Sequence, residues 1–273
     1  MPAARKTTTE AGAAPAERAR AFDLGVFVRA AEEVVRLEEA TVLSTPSLPT
    51  VPHLNTVFLH GALDGAGVEA LVEAHHAGLP NRRVVVDDDA VSERLAAELL
   101  PRGWAVHRLV LLARGGAAPP PEARALAEEV PYGHVRGLRE EWLRTPPWGL
   151  SGGALAEGLA GDDRLFAGTP TRAFATFEHG RPLAYALLLG GGGDDGGDGG
   201  DDDGMLEDVY TTPEARGRGL STSVIAAVLH AARAERHEAV FVPTAAEGGA
   251  GALYERLGFA PVAVQHHFSR QVD

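Results

Sequence analysis

The chain has 273 residues, 45% of them hydrophobic, no cysteine and a formal net charge of −13. That length and apolar content can bury a substantial core and fit one large domain or two of ordinary size. The missing cysteines exclude disulfides and thiolate metal sites, and the acidic balance argues against a general nucleic-acid binder, which needs clustered Lys and Arg for phosphate.

In chain order, the opening MPAARKTTTEAGAAPAERAR lacks the apolar centre of a signal peptide, and no run approaches the ~18 apolar residues that span a bilayer. Residues 1–20 are therefore expected to form a disordered tail, and the protein to be cytoplasmic with no membrane partner. TVFLHGA and RRVVVDD read as short strands, 65–78 and 90–100 as helices, and HRLVLLA as a strand. APPPEA, residues 118–123, separates two regions. The expected division is a first half at 21–117, a linker at 118–130 and a second half at 131–273. In the second half a helix is predicted at 135–144, then a hairpin, RAFATFE turning through HGRP into LAYALLL. GGGGDDGGDGGDDDG, residues 190–204, holds nine glycines and six aspartates, and without it the net charge is −13 + 6 = −7. It cannot bury apolar area, so a mobile loop is expected. Its aspartates fit neither the twelve-residue calcium loop nor a nine-residue repeat, so no calcium site is assigned. MLEDVYT is a predicted strand, 219 to about 235 a helix, AVFVP a strand, 250–257 a short helix and APVAVQHHF a last strand. Alternation of strands and helices implies a mixed α/β sheet.

PEARGRGLS, residues 213–221, joins the strand MLEDVYT to the helix with Leu220, Val224, Ile225, Val228 and Leu229 at helical spacing. The first amides of a helix have no internal partner and carry the positive end of its dipole. Gly217 and Gly219 let the main chain approach a ligand, and Arg216 and Arg218 add charge, which together suit a pyrophosphate. A solvent-facing turn is the competing reading. The stretch is not a Walker loop, because no Gly-Lys-Ser/Thr follows, and G-x-G-x-x-G would need glycine where Thr222 stands.

ARGRGLS resembles the R/Q-x-x-G-x-G/A signature of the GCN5-related N-acetyltransferase (GNAT) superfamily, with Arg216 first and Gly219 fourth; Ser221 stands where glycine or alanine is usual. ALYERLGF, residues 252–259, resembles the family's late helix and turn, and Pro213 sits where family members commonly have proline. The family often has asparagine where this chain has Glu247. The resemblance implies the acyl-CoA N-acyltransferase fold, a mixed, largely antiparallel central sheet flanked by helices. It also implies acetyl-CoA as cosubstrate, no metal, and transfer to a primary amine of a small molecule or peptide. The pyrophosphate would lie on Arg216, Gly217, Arg218, Gly219, Leu220, Ser221 and Thr222. The pantetheine arm would run along Val209, Tyr210 and Thr211, on a strand that splays from its neighbour. Tyr254 occupies the position that often protonates the departing thiolate. Glu207 and Asp208 are the candidates for base or substrate anchor. As adjacent strand residues they should point to opposite faces, so one of them reaches the site, and the sequence leaves open which, or whether a water chain serves instead.

Shifted back by 152 residues, Val209, Tyr210, Gly217, Gly219 and Leu220 fall on Val57, Phe58, Gly65, Gly67 and Val68. Shifted by 155, Gly258 and Phe259 fall on Gly103 and Trp104. Two tandem GNAT-like halves are therefore expected. Asp64 and Ala66 replace Arg216 and Arg218, and Leu99 replaces Tyr254, so the first half is expected to be degenerate, to repel phosphate and to shape the acceptor site. A monomer with pseudo-dimeric halves and a homodimer both remain open. His75-His76 and His266-His267 are neighbours and do not converge on one metal. His53 and Asn55 are expected to satisfy nearby main chain rather than line an acceptor pocket. Glu140, Glu141 and Trp142, in a stretch continuing to Pro146, Pro147 and Trp148, are expected to pack rather than meet an amine. The alternative function is a non-catalytic CoA-binding or regulatory protein.

Overall fold

Apolar spacing and polar caps set the local elements. Asp64 and Asp88 cap two helices by accepting from the amides of Gly67 and Val91, and the run LAYALLL is buried throughout, as a central strand covered on both faces requires. The computed structural model describes residues 14–146, 149–190, 202–247 and 249–272. The elements are α1 (Pro15–Ala30), β1 (Glu33–Arg36), β2 (Ala40–Ser44), β3 (Thr56–Leu59), α2 (Gly65–His76), β4 (Asn81–Val86), α3 (Asp89–Leu99), β5 (Ala105–Gly115), β6 (Glu128–Val130), α4 (Arg136–Arg144), α5 (Gly152–Gly168), β7 (Thr171–Glu178), β8 (Arg181–Gly190), β9 (Asp203–Thr211), α6 (Leu220–Ala234), β10 (Ala239–Ala245), α7 (Ala250–Arg256) and β11 (Ala260–Gln271).

Among the described residues the strands form one sheet in the order β1-β2-β3-β4-β11-β5-β10-β9-β8-β7-β6. Only β3–β4 and β9–β10 run parallel. The mixed, largely antiparallel sheet carries α2, α3, α6 and α7 on one face and α1, α4 and α5 on the other. The run β3-α2-β4-α3-β5 is repeated by β9-α6-β10-α7-β11, and the closing strands are exchanged. β5 of the first half lies beside β10, from Ala239 opposite Gly115 to Ala245 opposite Leu109. β11 of the second half lies beside β4, from Gln271 opposite Asn81 to His266 opposite Val86. β5 and β11 pair with each other at the centre.

Three expectations change. Residues 1–13 lie outside the described residues, but 15–20 are helical rather than a tail. Arg18 Nε donates to Asp203 Oδ2 at 2.9 Å, Arg18 also pairs with Glu238 at 2.8 Å, and Ala19 is buried. The expected mobile loop at 190–204 falls mostly at 191–201, outside the described residues; its end does not behave as a loop, because Asp203 is buried within β9 and its Oδ1 also accepts from the amide of Ala239. Helix α5 was not predicted. Its glycines obscure the pattern, yet Leu155, Leu159 and Leu165 are buried along one side, and a Cβ at Gly161 would meet Val51 Cγ1 at 3.1 Å. The segment at 118–127 runs as a strap over α6, and 128–130 adds the edge strand β6.

Candidate active site

The site grows from a parting of two strands. β9 and β10 pair at Asp203–Ala239, Gly204–Val240 and Met205–Phe241, so among the described residues β9 from 206 to 211 has no strand on that side while β10 continues along β5. Unpaired edge groups of this kind hold extended ligands by main-chain hydrogen bonds. Just beyond the parting, Leu187 opposes Glu207 but Tyr185 opposes Tyr210, so β9 carries one extra residue. This is a bulge, and Asp208 sits in it at φ 54, an uncommon conformation for a residue with a side chain.

The bulge corrects the expectation that Glu207 and Asp208 point to opposite faces. Leu206 and Val209, three apart, both pack in the core under α6, so the two residues between them both turn to the other face. There Arg139 on α4 is shared. Its Nη1 donates to Asp208 Oδ1 at 2.9 Å, and its Nε and Nη2 donate to the two oxygens of Asp162 at 2.7 and 3.0 Å. Tyr185 donates to Asp208 Oδ2 at 3.3 Å. Two carboxylates on one guanidinium leave an excess negative charge, and burial raises Asp208 above the usual range while Arg139 opposes the rise. Among the described residues no side chain hydrogen-bonds or ion-pairs with Glu207, whose carboxyl is met by the backbone of Asp208. Burial first, then the charges of Asp208 and Asp23, push it up to about 8, with Arg139 pulling the other way.

Tyr254 on α7 is buried edge-on to Phe259, their rings 5.8 Å apart. Burial, and then the charge of Glu207, raises its hydroxyl, so it keeps its proton at neutral pH. On the opposite face the Tyr210 ring stacks on Trp142 at 5.7 Å, its hydroxyl donates to Glu141 at 3.0 Å, and Arg139 lies 4.9 Å over the Trp142 ring. Burial and the Glu141 bond push the Tyr210 hydroxyl up to about 12. Pro147 and Trp148 lie outside the described residues. Glu140 pairs with Arg144, and Asn55 serves main chain as expected, accepting from Thr45 N and donating to Leu48 O and Val51 O.

At the start of α6, Gly217 and Gly219 have φ 75 and 81, so the chain turns as only glycine readily does. Gly219 is the N-cap and offers no side chain to the free amides of Leu220, Ser221 and Thr222. Ser221 Oγ lies 2.8 Å from Thr211 Oγ1, which ties the helix to the end of β9. Arg216 Nε donates to Thr211 O at 3.3 Å, and Arg218 pairs with Glu178 on the β7–β8 hairpin at 2.8 Å, leaving both on the exposed rim. Sequence reasoning missed Arg124. The amides of Arg124 and Ala125 donate to Ser223 Oγ, and a Cβ on Gly219 would stand 2.7 Å from Arg124 Cδ. A third cation thus lies over the same turn. Arg139 and Asp162 were missed too; the only signal was a long polar side chain three positions before Trp142, on an otherwise polar helix.

The first half keeps the frame and fills the site. Trp104 N donates to Leu99 O at 3.2 Å and Phe259 N to Tyr254 O at 3.0 Å, with Gly103 and Gly258 at φ 84 and 88, so Leu99 occupies the place of Tyr254. The expected second G-x-G turn is absent. Gly65 and Gly67 lie inside the first turn of α2, and it is Asp64, not Gly65 or Gly67, that caps the helix as Gly219 caps α6. The 152-residue shift therefore matched glycines that differ in structure. Asp64 Oδ1 accepts from Gly67 N at 2.7 Å and Glu98 Oε2 accepts from Gly65 N at 2.6 Å, so two carboxylates already hold those amides.

Residues 135–259 match the family model described as the acetyltransferase (GNAT) family. A functionally unknown conserved protein from Staphylococcus epidermidis shares the fold, with TM-score 0.68 and 11% identity over 89% of this chain and 95% of that one. A GCN5-related N-acetyltransferase from Kribbella flavida gives 0.64 and 18% over 95% and 98%. A tandem GNAT protein from the clavulanic acid biosynthesis pathway gives 0.54 and 14% over 87% and 81%. No curated relative matches the chain. Among the described residues no helix is long and apolar enough to cross a membrane.

Proposed function

Because residues 135–259 match the acetyltransferase (GNAT) family model, we propose that the protein transfers the acetyl group of acetyl-CoA to a primary amine of a small molecule or peptide. The observation that carries this reading is the unpaired edge of β9, which opens beside Glu207, a buried carboxyl that no ion pair holds among the described residues, within electrostatic reach of a protonated phenol, Tyr254. The residues suit the cosubstrate: the β9 edge at Val209, Tyr210 and Thr211 offers main-chain partners for an extended arm. The glycine turn and the amides up to Thr222, with Arg216, Arg218 and Arg124 around them, suit a diphosphate. Acetyl-CoA supplies an activated thioester carbonyl.

The protein's own groups then divide the proton work. Glu207, raised to about 8, takes a proton from the acceptor ammonium in its ionised form, whose share grows as pH rises towards that value. Asp208 is held by Arg139 and Tyr185 and serves to keep negative charge beside Glu207. Tyr254 holds its proton at the hydroxyl and can give it to the departing sulfur. Thiol release from acetyl-CoA, followed with dithionitrobenzoate across polyamines, aminoglycosides, amino acids and peptides, tests the reading. Turnover with one acceptor class is expected; tight acetyl-CoA binding with no transfer to any of them favours the non-catalytic alternative.

Two substitutions test the cofactor corner. Gly219→Ala combines a backbone at φ 81 with a Cβ 2.7 Å from Arg124 Cδ, and is expected to weaken acetyl-CoA binding by about tenfold or more, ~1.4 kcal/mol. Gly67→Ala, whose Cβ would meet only side chains at 3.1 Å or beyond, is expected to leave affinity within about twofold. Calorimetric titration reads both, and the opposite pattern would move the cofactor to the first half.

A further inference from the structure

The face that carries Glu207 holds a second polar line that the proposed reaction does not use. Arg83 Nη2 on β4 donates to His267 Nδ1 at 2.9 Å, His267 Nε2 lies 3.3 Å from Gln265 Oε1, and Gln265 Nε2 donates to Asp23 Oδ2 at 3.0 Å. Every donor meets an acceptor if the His267 proton is on Nε2. Burial keeps that ring neutral, so Arg83 is bonded only to an uncharged group. Among the described residues no carboxylate lies within ion-pair distance of it, although Asp23 acts on it electrostatically and burial lowers it to about 10. A half-buried guanidinium without a counter-charge is costly to keep.

His53 stands on the turn Pro52–Leu54, which packs against β4, and has an unmet polar atom of its own. Its Nε2 is sealed from solvent and has no partner among the described residues, while its ring packs 5.8 Å from Phe27. Burial, then Arg83 and Arg139, hold it neutral at about 3. His53 therefore feels both a cation of the first half and the cation that grips Asp208. A guanidinium without a counter-charge and an imidazole nitrogen without a partner thus lie on neighbouring segments, and a planar guanidinium is the natural partner of a carboxylate or phosphate.

We propose that Arg83 and His53 form an oxyanion subsite of the acceptor pocket at the junction of the halves, so that the acceptor carries a carboxylate or phosphate as well as its amine. This rests on the transferase reading for the role of Glu207. Four strand spacings, on the order of 19 Å at about 4.8 Å each, separate the backbones of β4 and β9. Side chains span part of that distance, so amine and oxyanion lie several bonds apart, as in an ω-amino acid rather than an α-amino acid. The first half, with its own helix amides filled, keeps a role through this contact.

The test needs no turnover. Binding of 5-aminopentanoate, 5-aminopentyl phosphate and pentylamine to the full chain is followed by the His53 and His267 ring signals in NMR, at matched ionic strength. Saturable shifts are expected with at least one oxyanion-bearing probe and not with pentylamine, and the stronger of the two identifies the group. Arg83→Met should weaken that binding at least tenfold, and Arg83→Lys should fall between, which separates loss of charge from loss of fold. Equal binding of pentylamine, or affinity unchanged in Arg83→Met with native circular dichroism, overturns the subsite. Failure of acetyl transfer alone would overturn the preceding reading and leave this result standing.

Discussion

Residues 131–273, produced without the half before them, are expected to yield no cooperatively folded domain. β11 has two neighbours, β4 and β5, and both belong to the first half. β10 would lose β5 along seven opposed residues, from Ala239 to Ala245. The core would lose more than hydrogen bonds, because Leu112 of β5 is buried under α6 and Phe268 of β11 is buried under α2 and α3. A strand unpaired on both edges with a stranded phenylalanine is an aggregation template rather than a stable end. Soluble yield and the thermal transition by circular dichroism read the outcome. Co-expression of residues 14–117, which restores β4 and β5, should rescue both. A monomeric second half melting like the full chain would refute the dependence.

Glu207→Gln is expected to lower kcat/KM by about a hundredfold or more, the scale of a lost general base. With Glu207 raised to about 8, wild-type activity should climb with pH towards that value, and the climb should vanish in the variant. Stability should move the other way. A carboxyl whose folded pKa is above its ordinary 4.5 gives the fold its full support below that value and loses it progressively until pH reaches about 8. At pH 9 the variant should therefore be more stable than wild type by at least ~1 kcal/mol, and at pH 4 the two should melt alike. Loss of both activity and stability at high pH would instead mark Glu207 as structural. In the companion substitution Arg139→Met, Asp162 and Asp208 lose their shared cation, and a cost of about 3 kcal/mol or more is expected by denaturant titration.

Much of the fold was legible because its signals are local. The turn at Gly217 and Gly219, the β7–β8 hairpin and the Tyr254 helix each follow from residues within one short window. What escaped depends on distant partners. The glycines of α5 read as a breaker until Val51 and Leu150 are placed against them, and α1 is held by Asp203, a residue that composition assigns to a polar loop. The bulge at Asp208 has no sequence mark at all, since MLEDVYT reads as a regular strand. That one extra residue decides how the two carboxylates are held, Asp208 by Arg139 and Tyr185 and Glu207 by neither. The first-half glycines misled for a related reason: a G-x-G pattern is the same string whether it precedes a helix or lies within its first turn.

The reciprocal placement of β5 and β11 also bears on how the chain is made. At roughly 5–20 residues per second, a ribosome that has finished β4 at Val86 needs on the order of ten to thirty seconds to reach Ala260, where β4's missing neighbour begins. Through that interval the nascent first half exposes a bare valine-rich edge, and chaperone holding, rather than spontaneous folding during synthesis, is what such a delay calls for.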